Sequence, residues 1–369
     1  MTGDEKEGTS MAVTLAEVAA HAGVSPATVS RVLNGGYPVA GGTRTRVERA
    51  VEELGYVANA PARALAAATS DLVGVLVHDV ADSYFGILAG ALQGALGPET
   101  PARSGSGRLA VVCNTQGTPA AELAYLTLLE GQRAGGVVLT GGAVEEVEHT
   151  VALTTRVARL ASAGTPVVLC GRPPLTVPDG LPVATVVFDD HGGAFRLAEH
   201  LLALGHRRIA YVAGPAGLST SRERLAGHRA ALERFDPAVA EECDTLTVHA
   251  GFERSAGYDA TRALLRRGES FTAVVAANDT VATGIVAALR EQGIRIPEDV
   301  SVAGFDDLPF CVDTAPPLTT VRVPLREAGI LAAQLVTGRR QPPPDGITTL
   351  ATELMVRGST APPAAGRQP

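Results

Sequence analysis

The chain has 369 residues, 46% of them hydrophobic and 19% charged. That is two or three domains' worth at roughly 150 residues each, and the composition is not that of a disordered chain. The formal net charge is −8, which as a chain average argues against a polyanionic partner.

Cys113, Cys170, Cys243 and Cys311 form no C-x-x-C pair and have no histidine at zinc-ligand spacing. Buried free thiols are expected, with no disulfide framework, no metal and no cofactor. The N-terminus MTGDEKEGTSMAV lacks the apolar stretch of a signal peptide. No apolar run reaches the ~20 residues of a membrane helix, so a cytoplasmic protein with no membrane contact is expected.

Residues 1–11 read as a disordered leader and 12–58 as a compact helical head. Thr14-Leu-Ala-Glu17 is a capping box, and Leu15, Val18, Ala19 and Ala22 follow at helical spacing. Gly23 supplies a turn. Ser25 caps a second helix with Pro26 at its first position, where a missing N–H costs nothing. Val29, Val32 and Leu33 are predicted to face inward, leaving Ala27, Thr28, Ser30 and Arg31 outward. A third helix is predicted from Thr43 to Gly55. Two short helices joined by a tight turn and backed by a third describe a helix-turn-helix. Small outward residues let such a helix enter the major groove, Arg31 can grip a guanine edge, and Arg44, Arg46 and Arg49 can meet phosphates. A three-helix bundle with a solvated polar face has the same spacing.

From Asp71 the texture changes. Apolar runs such as LVGVLVHDV, LAVVCN, AGGVVLT, PVVLCG, VATVVFD, RIAYVAG, FTAVVAAND and VSVAGFDD alternate with amphipathic segments. This predicts βαβ units with parallel strands covered on both faces. About ten such units exceed one sheet, so two α/β lobes and a cleft are expected. Polar residues follow several strands: Asp79 and Asp82, Arg172, Asp189 and Asp190, Asn278 and Asp279, Asp306 and Asp307. Tyr84, Phe85 and Phe252 lie near such ends. Carboxylates, an amide and guanidinium groups between aromatic walls suit a polyhydroxylated ligand. Helix capping or inter-lobe contacts are the better reading for Asp279 and Asp307.

The stretch VTLAEVAAHAGVSPATVSRVLN, with GTRTRVERAVEELGYVANAPARAL after it, resembles the DNA-binding head of lactose-repressor (LacI/galactose-repressor) family regulators. Downstream, DVADSYF, GHRRIAYVAGP, SRERLAGHRAAL, AVVAANDTVATGIVAAL, VSVAGFDD and PPLTTVRVPLREAG are similar to the same family up to about Gly358. The resemblance implies an all-α helix-turn-helix head and an α/β two-lobe core resembling type I periplasmic sugar-binding proteins. It implies a homodimer reading a pseudo-palindromic operator, a repressor controlled allosterically by a small molecule, a sugar, held between the lobes. It assigns DNA contacts to Thr14, Ser25, Pro26, Ala27, Thr28, Ser30, Arg31, Asn34 and Arg44. Residues 59–70 become a hinge helix with Asn59, Arg63 and Leu65 at the DNA, Leu65 as a minor-groove wedge. Ligand contacts fall to Asp82, Tyr84, Phe85, Arg172, Asp190, Arg224, Phe252, Asn278 and Asp306. Asp82 departs from the family's usual asparagine.

The resemblance also sets expected boundaries. The core is 71–358, with an N-lobe of about 71–171 and 323–350 and a C-lobe of about 172–321 and 351–358. The chain then crosses near Gly171–Arg172, Val321–Val323 and Leu350–Thr352, and 359–369 is a disordered tail. A transporter's solute-binding protein is the alternative, but it would need a signal peptide and no helix-turn-helix. An enzyme is disfavoured by the lack of G-x-x-x-x-G-K-[ST], G-x-S-x-G and H-E-x-x-H. Residues 13–70 hold five arginines and four glutamates, a net of +1, so the rest of the chain carries −9. The acidity lies outside the head.

Overall fold

The computed structural model describes residues 13–34, 39–56, 70–97 and 108–364. It divides into two compact units, Met1–Ser70 and Asp71–Pro369.

The first unit holds α1 (Leu15–Ala22), α2 (Pro26–Asn34) and α3 (Gly41–Leu54). The Thr14 backbone N–H donates to the Glu17 carboxylate at 2.7 Å, and the Glu17 N–H donates back to Thr14 Oγ1 at 3.3 Å. This reciprocal cap satisfies N–H groups that the first turn would otherwise leave open. Gly23 ends α1 at φ 65°, a left-handed conformation that glycine adopts without steric cost. Ser25 Oγ accepts from the Thr28 N–H at 3.2 Å and starts α2. Val18, Ala19, Ala22, Val29, Val32, Val47 and Ala50 form the core. Two details differ from the sequence reading. α3 begins at Gly41 rather than Thr43, and Leu33 is 37% exposed. α2 rests mainly on α1, so its inward stripe is only wide enough for Val29 and Val32.

The second unit opens with β1 (Leu72–Val77), α4 (Ser83–Leu96), β2 (Leu109–Asn114), α5 (Pro119–Gly131), β3 (Gly136–Thr140), α6 (Val147–Ser162), β4 (Val167–Cys170) and β5 (Val183–Phe188). There follow α7 (Asp190–Leu204), β6 (Ile209–Ala213), α8 (Ser219–Phe235), α9 (Pro237–Thr245), β7 (Thr247–His249), α10 (Arg254–Arg266), β8 (Ala273–Ala276), α11 (Asp279–Glu291) and β9 (Ser301–Ala303). It closes with a 3-10 turn (Pro309–Val312), β10 (Thr320–Arg322), α12 (Leu325–Val336), β11 (Ile347–Leu350) and β12 (Glu353–Met355). Two parallel sheets result, ordered β11-β5-β4-β3-β1-β2 and β7-β6-β8-β9, beside a separate two-stranded sheet of β10 and β12. Nearly all strand residues of β1, β3, β4, β6 and β8 are buried, as helices on both faces require. β7 has only three residues, half-buried to exposed, and no apolar run announced it.

Both sheets are doubly wound. In each, strand order reverses next to the first strand, between β1 and β3 and between β6 and β8. The crevice at such a reversal, beyond the carboxyl ends of the strands, is where open α/β sheets receive ligands.

The crossings between lobes differ from expectation at one place. β5 pairs with β4 and β11, so Val183–Phe188 belongs to the first lobe. The chain crosses at Asp189, not at Gly171–Arg172, because the apolar VATVVF run completes the first sheet. The other crossings run through the antiparallel pair β10–β12. Asp307 fastens this region, accepting from Arg322 at 2.8 Å and Arg357 at 2.6 Å. Asp279 accepts from Thr320 Oγ1 at 2.6 Å and the Leu308 N–H at 2.8 Å. Gly193 lies so close that a Cβ there would sit 2.6 Å from Thr352 Oγ1 and 2.9 Å from Val321.

The disorder predicted for 359–369 is corrected over the described residues 359–364. The Val302 N–H donates to the Ser359 carbonyl at 2.9 Å, and Ser359 Oγ donates to the Val302 carbonyl at 2.6 Å. His206 Nε2 reaches the Ala361 carbonyl at 2.9 Å. Ser359–Ala361 thus covers the open edge of β9, where unpaired backbone groups need partners. All four cysteines are buried and free. Among the described residues no helix is long and apolar enough to cross a membrane, and no side-chain cluster could hold a metal ion.

Candidate nucleic-acid interface and ligand cleft

In the first unit, Pro26, Ala27 and Arg31 are exposed on α2, with Thr28 and Ser30 half-buried beside them. Ser25 Oγ also meets Thr28 Oγ1 at 2.9 Å, so the two hydroxyls are fixed together at the helix start. Thr14 is exposed at the cap of α1, and Arg44 is half-buried on α3. This gives an exposed helix with small residues, a helix N-terminus and an arginine on one face, which suits a nucleic-acid groove. Asn34 ends α2, but its side chain lies outside the described residues, as do Asn59, Arg63 and Leu65.

In the second unit, a cleft of about 940 Å³ opens at the two strand-order reversals. His78 and Asp79 follow β1, Gly141 and Gly142 follow β3, Pro215 follows β6, and Asn278 follows β8. Asp82 caps α4, its Oδ1 accepting from the Tyr84 N–H at 2.9 Å. Burial holds the Asp82 carboxyl above its usual range. Tyr84 and Phe85 stand edge to face at 4.9 Å, and the His78 ring lies 5.7 Å from Phe85. Burial, helped by the nearby Arg172 charge, pulls His78 down to about 4, so its ring is neutral at pH 7.

The floor on the other lobe is a buried ion cluster. Arg224 Nε donates to Asp190 at 2.8 Å, Nη1 to the Ala277 carbonyl at 2.7 Å, and Nη2 to Asp306 at 2.9 Å. Its guanidinium covers the Phe305 ring at 3.8 Å. Burial pushes both Asp190 and Asp306 upward while Arg224 pulls them down. Asp306 sits at φ 108°, strained for a residue with a side chain. It is held there by its N–H to the Val321 carbonyl at 2.7 Å and by the Val323 N–H to its carbonyl at 3.3 Å. Asn278 caps α11 through the Val281 N–H at 2.7 Å, and its Nδ2 donates to the Phe252 carbonyl at 3.3 Å, which steadies the Phe252 wall.

Of the nine residues assigned to ligand, Asp82, Tyr84, Phe85, Arg224, Phe252, Asn278 and Asp306 line the cleft. Asp190 and Arg172 do not. Asp190 lies beneath, orienting Arg224. Arg172 is turned away: its Nη1 meets Glu122 at 2.8 Å, and Nη2 and Nε donate to the Thr140 and Gly141 carbonyls at 3.0 and 3.2 Å. His149 completes this buried group, 2.9 Å from Glu122. Arg172 therefore secures the end of β3 behind the cleft wall. Gly171 before it, at φ 80°, turns the chain back under the sheet. Sequence reasoning missed His78, Thr220, Glu146, Glu253 and Phe310 as lining residues. Only His78 had a signal, as the first polar residue after the LVGVLV strand. Asp279 and Asp307 hold the crossings, as their reading from sequence expected.

Residues 14–59 match the pattern described as bacterial regulatory proteins, lacI family, and residues 198–360 match the periplasmic binding protein-like domain. The regulator DegA of Bacillus subtilis is 31% identical, with 95% of this chain and 99% of that protein covered. CelR of Thermobifida fusca is 35% identical over 94% of this chain and 98% of its own length. Among solved structures, a lac repressor dimer bound to operator and an anti-inducer is similar at TM-score 0.74 and 28% identity, covering 95% of this chain and 100% of that one. A CelR–cellobiose complex is similar at TM-score 0.64 and 34% identity, covering 94% of this chain and 99% of that one. With its head matched to the lacI pattern and relatives above 30% identical along almost its whole length, the chain belongs to the LacI family of DNA-binding transcriptional regulators.

Proposed function

We propose that this regulator is a homodimeric repressor whose affinity for a pseudo-palindromic operator is set by a sugar bound between the two lobes. The observation that carries this is the cleft itself: polar and aromatic side chains from both lobes converge at two strand-order reversals, between lobes joined by three crossings. A ligand touching both lobes favours one lobe arrangement over another and so biases whatever the lobes position. The similar lac repressor was solved as an operator-bound dimer, and the similar CelR with cellobiose, which supports both partners.

In this reading Ala27, Thr28, Ser30 and Arg31 meet the major groove, with Thr14, Ser25, Pro26, Asn34 and Arg44 at its edges and backbone. Residues 59–70 form the hinge helix, Asn59 and Arg63 meet the DNA beside it, and Leu65 is the wedge. Asp82, Arg224, Asn278 and Asp306 bind ligand hydroxyls, and Tyr84, Phe85 and Phe252 supply apolar walls. With a head of net +1, non-specific binding is weak and the salt slope shallow.

The test is an operator titration at fixed salt, on a sequence obtained by in vitro selection, with and without a cleft ligand. Coupling is reciprocal, so operator must change ligand affinity by the same factor that ligand changes operator affinity. Arg31→Ala is expected to cost about 1–3 kcal/mol of operator binding while leaving the melting of the core unchanged. Operator affinity that no cleft ligand alters removes the allosteric reading. Full affinity in Arg31→Ala removes Arg31 from base contact.

A further inference from the structure

The charges of the cleft narrow what it can hold. Among the described residues that line it, the only cation at pH 7 is Arg224, because burial keeps His78 neutral. Arg224 is charge-compensated: its Nε, Nη1 and Nη2 each already donate, to Asp190, the Ala277 carbonyl and Asp306 at 2.7–2.9 Å, which leaves one N–H on each terminal nitrogen for a ligand hydroxyl. One guanidinium with two carboxylates carries a net −1, or zero if one carboxyl is protonated. Neither state presents positive charge to an incoming group.

Around this floor the remaining charged lining residues are all acidic: Asp79 and Glu146 on one lobe, Asp82 beside them, and Glu253 on the other. A phosphate or carboxylate entering would lose water and meet a lining of net negative charge, its one cation already paired with two carboxylates, which is costly in a partly buried site. Uncharged hydroxyls meet the opposite situation, since carboxylates accept from vicinal hydroxyl donors. Phe85 and Tyr84 on one lobe and Phe252 and Phe310 on the other supply apolar faces for sugar rings.

Size narrows it further. About 940 Å³ is near the top of the roughly 300–1,000 Å³ spanned by small-molecule pockets. At about 30 Å³ per water, a single sugar ring would leave most of that space to solvent.

We propose that the cleft takes an uncharged oligosaccharide of two or more rings and excludes anionic sugars, whether phosphorylated, acidic or nucleotide-linked. This rests on the cleft being the effector site.

The test uses the full chain. Its melting temperature is followed with neutral di- and trisaccharides covering α and β linkages of glucose, galactose, mannose and xylose, with the parent monosaccharides, and with the 6′-phosphates of the disaccharides that bind. A ligand held only by the folded state raises the melting temperature by mass action. At least one neutral di- or trisaccharide is expected to raise it, with an apparent affinity at least tenfold above that of its monosaccharide and its 6′-phosphate. A phosphate that matches or exceeds its neutral parent overturns the exclusion. A monosaccharide that matches overturns the size. No response to any neutral di- or trisaccharide overturns the whole proposal. Operator binding measured in parallel separates this from the regulatory reading. An anionic ligand that binds and changes operator affinity sinks the ligand class alone. A neutral oligosaccharide that binds and leaves operator affinity unchanged sinks the allosteric reading alone.

Discussion

The head and the core place functional side chains by opposite means. On the head, the reading face is exposed, and the contacts that fix it span three residues: Thr14 with Glu17, Ser25 with Thr28. In the core, the cleft floor joins residues far apart in sequence, such as Arg224 to Asp190 and Asp306, and these are buried. Locally fixed, solvated sites can be altered at low cost to the fold. Buried ionic sites are bound into stability, because removing one partner strands the other in a medium that solvates charge poorly.

The largest expected effect is therefore in the core. Arg224→Ala leaves Asp190 and Asp306 unpaired and should destabilise the core by about 3–5 kcal/mol in denaturant unfolding. Arg172→Ala should cost less, because Glu122 keeps His149 as a partner, and it should not alter the groups that face the cleft. Near-native stability in either variant would mean water reaches these carboxylates and would erase the contrast.

The next effect is a pH dependence of the core. Burial holds His228 at about 4, as it does His78, against an ordinary 6.5. Between those values the unfolded chain binds more protons than the folded one, so stability falls as pH drops from 6.5 to 4, by about 3 kcal/mol per histidine. Asp279, pushed up to about 6 by burial, opposes this: its folded form holds the extra proton, which adds stability as pH falls from 6 toward 3.8. Both ring nitrogens of His228 lack partners among the described residues, and the ring lies 4.8 Å from Tyr211. His228→Phe should flatten the acid limb of unfolding measured from pH 6.5 to 4.5. An unchanged slope would show that His228 titrates freely when folded.

The smallest effect belongs to the head. Ser25→Ala removes the side-chain acceptor for the Thr28 N–H and should cost about 1 kcal/mol of head stability, read by amide exchange across α2. A loss as large as that of Arg224→Ala would sharpen the comparison the other way, making the cap as structural as the buried cluster.

The same division explains what could be read in advance. The caps of α1 and α2 were legible because capping is a rule about neighbours, whereas the start of α3 was not, since Ala40 caps it without a side-chain bond. The parallel strands were legible because burial on both faces leaves continuous apolar runs. The membership of β5 was not, since VATVVF would suit either sheet and only pairing with β4 and β11 decides it. Ser359–Ala361 reads as tail because it opens the stretch STAPPAAGRQP, which has no apolar run, yet an open strand edge makes it structure. Arg172 and Arg224 each look like arginines near a strand or helix end, but one backs the wall and the other lines the floor.

The sequence by itself determined that a capped three-helix head with an outward arginine precedes a long run of βαβ units, because caps and apolar periodicity are set by residues a few positions apart. Tertiary structure alone decided which carboxylates surround Arg224, that His78 is a neutral cleft wall, and where the chain passes between lobes. Those depend on which distant segments pack and pair together, and local spacing carries no information about that.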